Sequence, residues 1–222
     1  GRMNQGFAAV VGEYVYSSSY DKGEFWSSGT FGPAGPLVST LNNLYVNNSG
    51  PASTLKFGAV GNALNPRTVK VAINGTQVLD TLMDYFNDVH AAISFPTALI
   101  SSNSAAVRFT NGATINTDRI VVSYYELTYP RLFDFDGKKN FEFVLPADND
   151  GYYLEITNFN NGSTAPVLYD LTFGSRYVGD ISTPGTVKFV LPASTSEGSF
   201  VLVNAESSNS TDITSLATRN FT

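Results

Sequence analysis

Two-residue alternation of apolar and polar side chains constrains this chain more than any other feature. It recurs in GEYVYSS (12–18), TLKFGAV (54–60), TVKVAIN (68–74) and AAVRFTN (105–111), each bounded by Gly, Asn, Pro or Ser. A period of two with β-branched and aromatic residues is the signature of strands. The strongest run is DRIVVSYYELTYP, Asp118 to Pro130. There Ile120, Val122 and Tyr124 share one face, and Val121, Tyr125, Leu127 and Tyr129 the other. Apolar residues on both faces predict an interior strand, ended where Pro130 removes a ladder donor. Short strands every 8–12 residues with turn signals between them predict a β-sandwich or barrel. One segment is ambiguous. LDTLMDYFNDVHAA (79–92) places Leu79, Leu82, Met83, Phe86 and Val89 at helical spacing, and equally permits a strand through Met83, Tyr85 and Asn87 followed by a loop.

After Pro130 the pattern changes. RLFDFDGKKN (131–140) is charged and turn-rich, with an Asp136-Gly137 turn signal, and reads as a joint. A phrase then occurs twice: FVLPADNDGYYLEI from Phe143 and FVLPASTSEGSFVLV from Phe189, with starts 189 − 143 = 46 residues apart. In each copy a β-rich run ends at a proline, a polar turn reaches a glycine, and a second β-rich run follows. The proline presets φ and stops pairing, and the glycine absorbs the turn. Each copy therefore predicts a hairpin with a loop of several residues. Two copies fall short of the three or more that a solenoid needs, so the phrase is one folding device used twice. The expectation is all-β: a jelly-roll-like β-sandwich over residues 1–130, then a smaller Ig-like β-sandwich and C-terminal linker over 131–222.

Composition narrows the chemistry. The chain has no cysteine, which excludes a thiol nucleophile, a disulfide framework and a thiolate metal site. His90 is the only imidazole, so no histidine cluster exists for zinc. The formal charge of −6 argues against binding nucleic acid or anionic lipid over a broad surface. No apolar run is long enough for a membrane-spanning helix. Gly1-Arg2-Met3 reads as a cloning remnant ahead of a truncation point, so the chain is expected to be part of something larger, and its Ser/Thr/Asn-rich, Lys-poor composition suits an exported protein.

Candidate sites each have a plainer explanation. SYDKGEFW (19–26) gathers Asp21, Glu24, Lys22 and the only tryptophan, Trp26. Two carboxylates across a sugar make a glycosidase pair at suitable separation, but Asp-Lys-Gly is ordinary turn chemistry and Trp26 ordinary core. Asp21, Glu24 and Trp26 are retained as interaction candidates only. Asp148-Asn149-Asp150 resembles the start of a calcium loop, yet the glycine at position six and glutamate at position twelve are missing, which leaves a turn. His90 follows Asp88, but no G-x-S-x-G elbow accompanies it, so His90 is read as a surface or packing residue. Asn-x-Ser/Thr occurs at Asn74, Asn161 and Asn209, as chance produces in such a composition. No catalytic residue, cofactor or metal is assigned. Exposed aromatics on a jelly roll also make a carbohydrate-binding module an alternative.

Taken in order, YDKGEFW, DRIVVSYYELTYPRLF and YYLEITNF…PVLYDLTFGSRYV resemble the region upstream of the peptidase domain in PorU-type sortases of the type IX secretion system. These are large exported relatives of the gingipain cysteine peptidases of Bacteroidetes. The resemblance spans most of residues 12–205. The family form YDKGEGW has glycine where Phe25 stands here. The resemblance implies a non-catalytic fragment, because the family's Cys/His dyad lies in a later domain. It implies an intact protein at the outer membrane, cell surface or periplasm that cleaves C-terminal sorting signals from cargo and attaches cargo to a surface glycolipid. Implied partners are its own downstream peptidase domain, secretion-system proteins, cargo, and a glycan.

Overall fold

The computed structural model describes residues 2–6, 27–101, 103–211, 213 and 215, the first five as backbone only. The chain divides into two compact units, Gly1–Leu132 and Phe133–Thr222. Both are built from antiparallel sheets, and among the described residues helix is confined to two single 3-10 turns, Thr97–Leu99 and Ser207–Asn209.

Among the described residues the first unit has eight strands: β1 (Arg2–Gly6), β2 (Leu37–Leu41), β3 (Ser53–Gly61), β4 (Thr68–Ile73), β5 (Thr76–Leu82), β6 (Asp88–Phe95), β7 (Ala105–Asn111) and β8 (Ile120–Thr128). β1 pairs with β8, β2 with β7, β3 with β6 and β4 with β5. This is one long hairpin wound over itself, its successive pairs dealt alternately to two sheets of order β1-β8-β3-β6 and β2-β7-β4-β5. Eight strands so wound form a jelly roll. The hairpin's tip is Asn74-Gly75, both with positive φ (46° and 84°), the geometry of a two-residue type I′ turn. Side chains from both sheets meet in one core, where Phe109 lies 5.4 Å from Phe57 and 6.0 Å from Tyr125, centroid to centroid.

Two local expectations change. Residues 79–92 contain no helix; β5 ends at Leu82, a loop follows, and β6 starts at Asp88. The strand reading also stops short, since Tyr85 has φ 58° and Met83 is buried from the loop. The helical spacing fails because β5 and β6 each complete a hydrogen-bonded ladder, β5 with the adjacent β4 and β6 with β3. In β8 the two faces do not run through. The register with β3 shifts at Gly58/Ala59, which face Tyr124 and Val122. Ser123 is thus the extra residue of a bulge, and a bulge reverses the phase of everything beyond it. Ile120 and Val122 before it, and Tyr125 and Leu127 after it, all enter the same core, while Tyr124 is exposed.

One end of this sandwich is closed by a buried ion pair. Arg67 Nε donates to Asp118 Oδ2 at 2.6 Å and Nη2 to Oδ1 at 2.7 Å, with both side chains fully buried. Asn65 and Asn111 each add a bond to the carboxylate at 2.8 Å. The remaining guanidinium protons go to the carbonyls of Ala63, Met83 and Tyr85. Four loop and strand-end segments, 63–67, 83–85, 111 and 118, thus converge on one pair. Gly61 is required beside it, because a Cβ there would collide with Arg67 and the Tyr85 carbonyl. Burial pushes the Asp118 carboxyl up, but the hydrogen bonds from Arg67, Asn65 and Asn111, with the Arg67 charge, outweigh it and hold it below the ordinary 3.8.

Among the described residues the second unit has six strands: β9 (Asn140–Leu145), β10 (Tyr152–Thr157), β11 (Val167–Asp170), β12 (Ser175–Val178), β13 (Thr186–Leu191) and β14 (Gly198–Val203). Its sheets are β12-β11-β14-β9 and β10-β13. Their inner faces meet in an aromatic-rich core, with Phe135 stacked 4.0 Å from Phe141 and Phe143 5.6 Å from Phe200. Two packed antiparallel sheets make the small sandwich expected. The first strand pairs with the last, however, so the winding repeats that of the first unit instead of the ABED/CFG order of an Ig domain. The Asp136-Gly137 turn, with φ 55° and 66°, lies inside this unit, next to the buried Phe135.

The repeated phrase does not make hairpins. β9 pairs with β14 and β10 with β13, so the strands flanking each FVLPA turn lie in opposite sheets. Each copy is an arch, and the two arches interlock about a local two-fold. Leu145 faces Gly198, and the residues 46 positions on or back, Leu191 and Tyr152, face each other. Asp148 and its counterpart Ser194 sit on the axis and exchange backbone bonds of 2.9 and 2.8 Å. A local hairpin would place Phe143, Leu145, Leu154 and Ile156 on one face of an isolated ribbon, which is not stable in water. The arch sets them face to face across the core.

Two predictions follow from these contacts. Asp118→Asn leaves Arg67 buried without a counterion and lowers unfolding free energy by about 3–5 kcal/mol, read by chemical denaturation. Because the folded carboxyl titrates low, its contribution is complete above about pH 5 and falls away below 3.8; the variant's acid limb is correspondingly flatter. In the second unit, residues 133–222 expressed alone give a dispersed amide spectrum, and Leu145→Ala costs about 2–5 kcal/mol. It lowers hydrogen-exchange protection in β13 as well as β9. Protection lost only in β9 and its neighbours would mean that the two arches open independently.

Candidate functional site

The interlocked arches leave a cleft at the end of the second sandwich. It encloses about 310 Å³ and is lined from both copies, by Leu145 and Pro146 of one and Leu191 and Pro192 of the other. The local two-fold is broken at one position. Tyr152 fills its side and donates from its hydroxyl to the Pro146 carbonyl at 3.0 Å. Its counterpart 46 residues on is Gly198, where a Cβ would sit 2.6 Å from the Phe200 ring. The Phe200 ring takes the space that a side chain there would need.

The β11–β12 turn supplies the rest of the lining. Asp170 is the last residue of β11 and points inward, in phase with the core residue Leu168. Its Oδ1 accepts from the backbone N–H groups of Thr172 (2.9 Å) and Phe173 (3.0 Å), and its carbonyl accepts from Gly174, whose φ is 69°. The Asx turn so formed carries Phe173 to the rim, 58% exposed, while Tyr177 packs against the core from β12. The cleft therefore combines aromatic walls with one inward carboxylate. Burial, and after it the charge on Asp148, raises the Tyr152 hydroxyl's pKa, so that side remains a neutral phenol.

The residues singled out from sequence are dispersed. Asp21, Glu24 and Trp26 lie outside the described residues. In the DND turn, Asp148 Oδ1 accepts from the Asp150 N–H at 2.8 Å, the behaviour of a turn. Among the described residues no group of three or more acidic or imidazole side chains is placed to hold a metal ion. His90 is exposed on β6, with Nδ1 3.3 Å from the Tyr124 hydroxyl and Nε2 3.6 Å from Asp88 Oδ2. Tyr125 is core, donating to Ser39 Oγ at 2.7 Å, whereas Tyr124 is 39% exposed. The Asn-x-Ser/Thr positions named above also separate. Asn74 bonds through its amide to Leu99, Ser104 and Ala106, and Asn209 forms a reciprocal amide pair with Asn140. Asn161 makes a long, exposed bond to Thr164.

Sequence reading missed Asp170 and Phe173, although both stand in YDLTFGSRYV. Asp followed four residues later by glycine at a strand end is a turn signal, and it was legible. That this turn closes over the PA loops was not, because those loops come from segments 20 to 30 residues away on either side.

Calcium provides a direct check on the DND turn. Millimolar CaCl₂ is expected to leave the thermal midpoint within 1 °C or so of its value in EGTA, since no bound cation adds to the folded state. A rise of several degrees that Asp148→Asn removes would reinstate the metal reading.

No protein-family model and no curated protein matches the chain. Among solved structures it is similar to dimeric latent PorU from Porphyromonas gingivalis, with 12% identity and a TM-score of 0.59 over 91% of this chain. The chain spans only 20% of that protein. A carbohydrate-binding module of family 36 in complex with calcium and xylotriose matches 58% of this chain and 99% of its own at 9% identity and TM-score 0.36. A second module of that family, from a multidomain xylanase of the Trinervitermes trinervoides hindgut metagenome, matches 51% of this chain and 94% of its own at 9% identity and TM-score 0.34. The two modules fall below the level at which a shared fold follows. The likeness to PorU is one of fold, and the chain has a PorU-like all-β architecture.

Proposed function

We propose that this chain is a non-catalytic β-sandwich scaffold from a PorU-type, sortase-like exported protein of the type IX secretion system. It positions a downstream peptidase domain, or docks secretion-system proteins or cargo while C-terminal signals are cleaved. The observation that carries this reading is the PorU-like fold over 91% of the chain, which a stretch one fifth of that protein's length accounts for. The ordered words YDKGEFW, DRIVVSYYELTYPRLF and YYLEITNF support it from the sequence side. The two units act as separate domains divided near residue 132. The setting is the surface or periplasm of a Gram-negative bacterium. None of the described helices is long and apolar enough to cross a membrane.

A scaffold holds without turning over. The chain lacks a thiolate, and an Asp21/Glu24 pair would need one carboxyl with a raised pKa at a fixed separation from the other. The purified chain is therefore expected to leave sorting-signal peptides and a polysaccharide panel intact, and to bind the separately expressed peptidase domain encoded after Thr222. Glycan turnover abolished by Asp21→Asn would replace this reading with a hydrolase. Absence of an encoded peptidase would remove the sortase assignment.

A further inference from the structure

The chain's net charge is unevenly placed. Residues 133–222 contain five Lys/Arg and eleven Asp/Glu, a balance of −6 that equals the whole chain's. Residues 1–132 contain eight of each and are neutral. Within the second unit, four of the acids cluster around the cleft between the arches. Asp170 lines it, Asp148 pairs with the lining residue Ser194, Asp150 follows in the same turn, and Glu197 lies between the lining residues Ser196 and Gly198. No basic residue lines it.

Three further features describe what would fit. Asp170 is only 5% exposed, and both of its hydrogen bonds, to Thr172 and Phe173, use Oδ1. Among the described residues Oδ2 has no partner, so a nearly buried acceptor remains available at the cleft. The walls are aromatic: Phe173 at the rim, with Tyr152, Tyr177 and Phe200 deeper. Of the lining hydroxyls, Ser194 Oγ donates to the Ser196 carbonyl and accepts the Ser196 N–H, and Tyr152 donates to the Pro146 carbonyl. A cation on an aliphatic stem needs an acceptor at the bottom and π-faces along the sides, and both are present.

We propose that this cleft binds one lysine or arginine side chain presented by a partner polypeptide, with the stem between Phe173 and the tyrosines and the cation on Asp170. The volume of about 310 Å³ admits one such side chain. The acidic surroundings draw the cation in, so binding weakens with salt. This inference rests on the second unit's geometry and charge and is independent of which larger protein the chain belongs to.

The test uses the full 222-residue chain, labelled for amide NMR. It is titrated separately with the N-acetyl methylamides of lysine, arginine, norleucine and citrulline, and with glucose. The two cationic probes are expected to bind on the order of millimolar and to shift the amides of Thr172, Phe173 and Gly174. Norleucine, citrulline and glucose bind at least tenfold more weakly. Asp170→Asn keeps an oxygen for the Thr172 and Phe173 N–H groups but removes the charge, and reduces cation binding about tenfold. Should that variant misfold, Phe173→Ser at the exposed rim and Glu197→Gln decide instead, each lowering affinity severalfold. Equal shifts from norleucine and lysine, a preference for glucose, or unchanged affinity in the Asp170 or Phe173 variant would overturn the proposal.

Discussion

Everything in this chain depends on strands finding partners far from them in sequence. In both units the first strand lies beside the last and the second beside the next to last. Only the tip of each winding, β4–β5 and β11–β12, is a local hairpin. Closing such loops costs chain entropy before any contact repays it. The ends of the sheets, where the chain leaves one ladder for another, are therefore where specific polar bonds are concentrated. In the first unit that place is the Arg67–Asp118 pair. In the second it is the reciprocal backbone bonding of Asp148 and Ser194.

The two clasps differ in kind because their surroundings differ. Arg67 and Asp118 are fully buried, so a bidentate pair is tolerable only when every remaining lone pair and proton is taken. Asn65, Asn111 and three carbonyls meet that condition. At the arches the chain is near solvent, and two main-chain bonds between turn residues suffice to hold the register. The repeat makes this economical, since one phrase supplies both halves of the contact. The two-fold is inexact at one position: a tyrosine stands on one side, and on the other glycine at 198 makes room for the Phe200 ring.

This division of labour suits a scaffold. The first unit is electrically neutral by composition, with the buried Arg67–Asp118 pair locked into a structural role. The second carries the whole net charge and a cleft with aromatic walls. Recognition thus belongs to the element whose framework is most redundant, which frees its turns, from Asp148 to Gly151 and from Leu171 to Gly174, to differ without loss of the core.

The all-β class, the interior placement of the 120–128 strand and the single folding device behind FVLPA were readable from the residues themselves. Alternation, proline and glycine act through the local backbone, and the local backbone is what a sequence displays. Which strands pair was not readable. The same apolar faces serve a hairpin or an arch, and only burial against a second sheet decides between them, as it did for Phe143 and Leu154. The bulge at Ser123 was hidden for the same reason, because an extra residue is defined by the strand opposite it. So was the helical spacing at 79–92, which loses to ladders made with β3 and β4. The cleft lay deepest. Asp170 and Phe173 announce a turn, but their meeting with two proline loops is set by tertiary winding, since no periodicity records which ends of a sandwich come together.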